Sequence, residues 1–221
     1  MIATELAEKY RPKTWEELIG QDAAQTSIRL LRPRGLTPRK FWISGPSGVG
    51  KTTLAYLLAH EVAEEFSIQE FDAGECTAAS VRQLELDVRT YGWGAGKKTG
   101  RAIIINEAHG MRKDAVRQFL VMLERMPSHL LIVFTSSKEK TALFDDMEEA
   151  GPLLSRCIVL RLTSYGMAKP FAARAKMIAE AEGLDGKEIK QYEKLAEKHK
   201  NNLRAMLQEI EAGGMLETVK E

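Results

Sequence analysis

Eight consecutive residues, Gly45-Pro46-Ser47-Gly48-Val49-Gly50-Lys51-Thr52, leave the rest of this chain few options. They follow an apolar run, Phe41-Trp42-Ile43, and precede Thr53 to Glu65, in which Leu54, Leu57, Leu58 and Val62 recur at helical spacing. Glycines at both ends let the backbone turn its N–H groups inward around phosphate oxygens, and the helix that follows presents its positive end to the same point. Lys51 adds a point charge for the outer phosphates, Thr52 offers a hydroxyl to a magnesium ion, and Thr53 opens the helix behind them. Strand, glycine-rich turn ending in Gly-Lys-Thr, and helix together read as a phosphate-binding loop.

The sequence downstream fits a sheet around that loop. Ile68-Gln69-Glu70-Phe71 reads as a short second strand and Asp72 to Glu75 as a turn. Ser80 is expected to cap a helix with Val81, Leu84 and Val88 on one face and Arg82 and Arg89 off it. Tyr91 to Gly100 carries four glycines and two lysines and reads as a surface loop. Ala102 to Asn106 is apolar without alternation, as in a strand covered on both faces, and runs into Glu107-Ala108-His109. Lys113 to Arg125 is helix-patterned and ends at Met126-Pro127; Leu130 to Thr135 is another buried strand leading to Ser136-Ser137. An acidic, irregular stretch, Lys138 to Pro152, precedes the strand Ile158 to Leu162. Beyond Thr163 only helical patterns remain: Ala168 to Glu182, Lys187 to His199 and Leu203 to Ala212. The expected architecture is α/β, a doubly wound parallel sheet over residues 1–163, followed by a small three-helix domain over residues 164–221. Residues 1–40 read as an arm and a short helix, with Thr14 and Glu17 as a capping box and Gly20 as the stop.

Composition narrows the functions. Lys and Arg number 32 against 31 Asp and Glu, so no strong overall field draws the molecule onto nucleic acid, and DNA contact requires a local patch. Cys76 and Cys157 lie far apart and outside any paired motif, which argues against structural zinc and for reduced thiols. The start is acidic by Glu5 and no long apolar run follows. Neither a signal peptide nor a membrane span is therefore expected, and a soluble cytoplasmic protein, or one in the DNA compartment of a host cell, is.

Four further stretches stand in a telling order around the loop: Tyr10-Arg11-Pro12 with Trp15 and Ile19-Gly20-Gln21 before it, then Asn106-Glu107-Ala108-His109, Ser155-Arg156-Cys157 and Asn202-Leu203-Arg204. In this order the chain resembles, over residues 5–212, the first two domains of a AAA+ clamp-loader ATPase subunit, of the replication factor C small subunit or bacterial gamma-subunit type. The resemblance implies a AAA+ core with a helical lid, ATP and Mg2+ as ligands, and DNA, neighbouring AAA+ subunits and a sliding clamp as partners. It puts Tyr10, Arg11, Pro12 and Ile19 on the adenine side, and Asn106 with Thr52 at the magnesium. Glu107 would orient and polarise the attacking water. Arg156 is then a finger reaching ATP in the adjacent subunit, where a cation stabilises charge on the transferring phosphoryl group. Arg204 matches a second sensor over the phosphates, and Ser137 a first sensor; a slip of one residue puts Ser136 there instead. The helices that line the DNA in this family correspond to Ser80, Arg82, Arg112 and Lys113, as sequence-independent phosphate contacts.

The chain departs from the resemblance in three ways. The zinc-binding cysteines of gamma-type subunits are absent, which favours the replication factor C or viral style. Family members continue into a helical collar beyond the lid, so this sequence is either a piece of a longer chain or assembles differently. Finally, Asn106 stands where the family carries an aspartate. A neutral amide keeps the shape and loses the charge, so Asn106→Asp is expected to raise the ATPase rate by about tenfold or more. The function expected is an ATP-dependent switch on DNA in replication. The alternatives are an ATP-binding assembly scaffold deficient in hydrolysis, or a helicase or transposase loader.

Overall fold

The computed structural model describes residues 5–92, 94, 98–137 and 150–216. By contacts the chain groups into two compact units: residues 22–45 with 51–162, and residues up to 21 with 46–50 and those from 163 onward.

Among the described residues the first unit holds five parallel strands: β1 (Arg39–Ser44), β2 (Ile68–Asp72), β3 (Arg101–Asn106), β4 (Leu130–Ser136) and β5 (Ile158–Arg161), in the order β2-β3-β4-β1-β5. α1 (Leu6–Lys9) belongs to the other unit, while α2 (Asp22–Leu31), α3 (Lys51–Val62), α4 (Ala78–Asp87), α5 (Lys113–Glu124) and α6 (Ala150–Ser155) accompany the sheet. One face is covered by α3, which packs on β1, β3 and β4. On the other face Trp42, Ile103, Ile105, Ile132 and Phe134 form one cluster with Val81 and Leu84 of α4 and Phe119 and Met122 of α5. Phe119 meets Phe134 edge-on with ring centroids 5.4 Å apart. Burial from both sides is why β3 and β4 are apolar without alternation. This is the doubly wound parallel sheet expected from the sequence.

Two local expectations are corrected. The short helix from Thr14 to Gly20 does not form: the segment is a series of turns, and Glu17 Oε2 instead accepts from the Lys13 N–H at 2.8 Å. So short a segment returns too few hydrogen bonds to offset helix nucleation, and the helices flanking it are α1 and α2. Nor is Ser80 the cap of α4. Thr77 is, accepting from the Ser80 N–H at 3.1 Å while Ser80 Oγ accepts from the Thr77 N–H at 2.8 Å. Ser80 is thus the inner member of a capping box, and the helix starts earlier because Ala78 and Ala79 extend it cheaply. Within the glycine-rich stretch, residues 93 and 95–97 lie outside the described residues, as do residues 138–149 of the acidic excursion.

The second unit contains α1, α7 (Ala168–Glu182), α8 (Ile189–Lys198) and α9 (Leu203–Glu211). Its core joins Leu6, Phe171, Ala175, Ile178, Tyr192, Leu195, Met206, Leu207 and Ile210, with Tyr10 and Ile19 packed against it. α7 ends at Gly183, φ +69°, where the Leu184 N–H returns to Ala179 C=O at 2.8 Å, a closure that requires a left-handed residue. Asn202 Oδ1 caps α9 by accepting from the Ala205 N–H at 3.1 Å. The arm is tied in by ions and hydrogen bonds: Lys9 Nζ lies 2.6 Å from Glu182 Oε1, the Tyr10 hydroxyl donates to the same oxygen, and Arg174 donates to the Tyr10 carbonyl at 3.3 Å. Among the described residues no helix is long and apolar enough to cross a membrane.

Candidate functional site

In the sheet-bearing unit Gly45 follows β1, Lys51 and Thr52 open α3, and Asn106 and Glu107 stand at the C-terminal end of β3. At Gly45, just after β1, a Cβ would lie 2.5 Å from the Leu162 carbonyl oxygen, so only glycine fits. Lys51 is the first residue of α3, 7% exposed, and its Nζ donates to the Gly45 carbonyl at 2.9 Å, closing the loop on itself. Thr52 Oγ1 donates to Asn106 Oδ1 at 3.4 Å, and Thr135 Oγ1 donates to the same oxygen at 3.0 Å. The other end of that amide, Nδ2, donates to Glu70 Oε1, and Glu70 Oε2 accepts from the Tyr56 hydroxyl at 2.6 Å.

Glu107 follows β3 with φ +49°, a left-handed conformation that costs a non-glycine residue about 1 kcal/mol. Its carboxylate Oε2 accepts from the Ser137 hydroxyl at 2.7 Å and the Ser137 N–H at 3.2 Å, and lies 3.2 Å from His109 Nδ1. Ser137 is therefore the exposed serine beside Glu107. Ser136 is fully buried, with its Oγ 3.4 Å from His109 Nδ1.

The crest of the loop, residues 46–50, groups with the helical unit. The Gly48 carbonyl accepts from the Leu203 N–H at 3.3 Å, and the Val49 carbonyl from Gln21 Nε2 at 3.4 Å. Gln21 also clasps Thr163, donating to its carbonyl at 2.9 Å and accepting from its N–H at 3.0 Å. Gly48, φ +74°, has no room for a side chain, since a Cβ would lie 1.8 Å from Asn202 Oδ1. Pro46 and Ser47 complete the crest, and Arg204 is exposed in the first turn of α9. Tyr10, Arg11, Pro12 and Ile19 lie in the arm, where Tyr10 is engaged by Glu182 and Arg11 by Glu8 at 2.5 Å.

Other expected residues lie elsewhere. Arg156 follows α6 and bonds to the Pro152 carbonyl at 3.0 Å and to Glu124 at 3.1 Å. Of the DNA candidates, Ser80 is occupied by its capping box, Arg82 Nε donates to Gln118 at 3.1 Å, Arg112 lies 3.5 Å from Asp114, and Lys113 is exposed at the start of α5. Burial pushes the Cys76 thiol up to about 11 and that of Cys157 to about 12, so neither forms a thiolate at neutral pH. Glu70, Thr135 and His109 were not anticipated. Nothing in the sequence marks Glu70 or Thr135, because their place depends on strand register; His109 stands in the stretch Asn106-Glu107-Ala108-His109, which gives it no role of its own.

Residues 41–163 match the profile of the ATPase family associated with various cellular activities (AAA). The chain belongs to that family. Within it, the chain is similar to the replication factor C small subunit 1 of Pyrobaculum islandicum, 26% identical over 184 residues, covering 82% of this chain and 53% of that protein. The replication factor C small subunit of Methanothermobacter thermautotrophicus is 31% identical over 186 residues, covering 80% of this chain and 53% of its own length. This AAA chain thus spans about half the length of the curated relatives it matches. The resemblance to clamp-loader subunits drawn from the motifs agrees with these relatives. Among solved structures, the RuvB Holliday junction branch migration motor of Thermotoga maritima superposes with a TM-score of 0.71 at 21% identity, over 91% of this chain and 64% of that one. At that identity the likeness speaks for the AAA fold alone.

Proposed function

We propose that this chain binds ATP with magnesium at Gly45–Thr52 and hydrolyses it as a switch on DNA, in a role like that of a sliding-clamp loader subunit. One observation carries the reading: Lys51 and Thr52 at the start of α3 share an end of the sheet with Asn106 and Glu107, and Thr52 and Asn106 are in hydrogen-bond contact. Lys51 exchanges the Gly45 carbonyl for an outer phosphate oxygen. Thr52 and Asn106 offer neutral, hard oxygen donors, which suit an ion that keeps several waters. Held there, magnesium would supply positive charge against the phosphates. Glu107, once released from Ser137 and His109, orients the attacking water, with Ser137 at the first-sensor position.

Tyr10, Arg11, Pro12 and Ile19 form the adenine side, Thr53 and the crest residues the phosphate side, and Arg204 a cation for the phosphates. Arg156 serves ATP in an adjacent AAA+ subunit, while Arg82, Arg112 and Lys113, with Ser80, track DNA phosphates. Similarity to replication factor C small subunits supports the clamp-loader role. A second reading, a scaffold that assembles on ATP but turns it over poorly, is favoured by the neutral amide at Asn106 and by the hold of Ser137 and His109 on Glu107.

ATP binding and turnover at saturating magnesium, with and without primed DNA, test both. The parent is expected to hydrolyse ATP faster with DNA. Lys51→Ala should lose binding by about a hundredfold or more while staying folded. Equal ATP affinity in Lys51→Ala refutes the loop assignment, and binding without turnover under any condition selects the scaffold.

A further inference from the structure

We propose that Glu70 is a positioning residue for the magnesium-organising amide: it orients Asn106 and supplies, one hydrogen bond away, the negative charge that Asn106 lacks. The proposal rests on the nucleotide reading above.

An asparagine at the end of β3 has two unlike ends, and only its carbonyl oxygen can serve the Thr52 hydroxyl or a metal's water shell. Turned over, it directs N–H donors there. The choice is made by Glu70, whose carboxylate is an acceptor only and takes the Nδ2 donor. The carbonyl is left facing two hydroxyl donors, Thr52 at 3.4 Å and Thr135 at 3.0 Å. The Glu107 N–H, donating to Thr135 Oγ1 at 3.3 Å, turns that hydroxyl's own proton toward Asn106.

Fold register delivers the carboxylate. β2 runs parallel to β3 with Asp72 opposite Asn106, so Glu70, two residues earlier, projects from the same side of the pleat as a diagonal neighbour. Its second oxygen is fixed by Tyr56, one turn along α3 from Thr52. The pair Glu70/Asn106 therefore carries one negative charge, as a single aspartate does, but displaced outward.

This arrangement changes the expectation for Asn106→Asp drawn from sequence. An aspartate there faces the Glu70 carboxylate at hydrogen-bond distance, where an acceptor meets an acceptor and like charges repel. The gain is withheld until the Glu70 carboxylate is replaced by an amide.

The test is a magnesium titration of fluorescent ATP-analogue binding to the full chain, with binding in EDTA and a thermal melt as controls. Glu70→Gln should raise the half-saturating magnesium concentration by about tenfold, leaving binding in EDTA within about twofold. Tyr56→Phe, which keeps the charge, should shift it by no more than about twofold. Asn106→Asp alone should improve it by less than about twofold, and the double variant Glu70→Gln/Asn106→Asp should return to within about threefold of the parent. Rescue by exchanging the charge between the two positions is an outcome that a merely structural Glu70 cannot give. An unshifted magnesium dependence in Glu70→Gln, a Tyr56→Phe effect as large as that of Glu70→Gln, or a double variant no better than Glu70→Gln overturns the proposal while leaving the nucleotide reading intact. A parent that binds no analogue at any magnesium concentration removes both.

Discussion

Arg156 illustrates how little holds a side chain where it rests. Its pairing with Glu124 at 3.1 Å joins groups 38% and 63% exposed, and such pairs contribute about 0–1 kcal/mol. Moving the guanidinium off Glu124 is therefore cheap, and its other bond, to the Pro152 carbonyl, lies at the same exposed surface. Arg156→Ala should spare ATP binding by the isolated chain and remove turnover in the assembly, by about a thousandfold if the residue acts as a finger. Partial recovery of turnover on mixing it with Lys51→Ala supports action between subunits; weakened ATP binding by the isolated Arg156→Ala chain contradicts it. Gly45 to Thr52, Asn106 and Glu107 could be recognised from sequence because each motif is contiguous and its chemistry is visible in residue type. Glu70 and Thr135 could not. A glutamate on a short edge strand and a threonine at the end of a buried one look ordinary until register sets both against Asn106.

Elements were legible where burial leaves a period. β3 and β4 were marked by unbroken apolar runs, and α7 by its pattern from Ala168 to Glu182. What failed was local polar chemistry, where several residues compete for the same N–H groups. Thr77, not Ser80, caps α4, and the Thr14–Glu17 pair makes no helix. Thr77→Ala should destabilise the sheet-bearing unit by about 1 kcal/mol, and Ser80→Ala by no more than that, because Thr77 also terminates the helix. Urea unfolding of the two variants decides it. A larger loss in Ser80→Ala means that the capping assignment is wrong.

At the scale of the whole molecule, the sheet and the later helices could be foreseen, but not that the arm belongs with those helices. That association rests on the burial of Leu6 among those helices and on two charges well over a hundred residues apart, Lys9 and Glu182. The arrangement has a pH signature. Hydrogen bonds from Lys9, Lys176 and Lys198 hold Glu182, Asp185 and Glu209 respectively below their ordinary carboxylate values. A depressed folded-state pKa gives stability that is complete above the unfolded value, about 4, and is lost as pH falls through the folded value. Lys9 and Lys176, raised by the same contacts, give stability that is complete below 10.5 and is lost above it. The helical unit should thus be level in stability across neutral pH and weaken below about pH 4. Glu182→Gln should flatten the acid limb and expose residues 6–10 to hydrogen exchange at neutral pH. An acid limb unchanged in Glu182→Gln would show that the Lys9–Glu182 contact does not hold the arm.

The crest of the phosphate loop has no slack on its outer side. The carbonyls of Gly48 and Val49 are engaged by Leu203 and Gln21, and the missing Cβ of Gly48 leaves that backbone flush against Asn202. A shift of the crest by a fraction of a bond length must be answered at the first residue of α9 and, through Gln21, at Thr163. Crest, cap and clasp are one linkage, in which none is displaced alone.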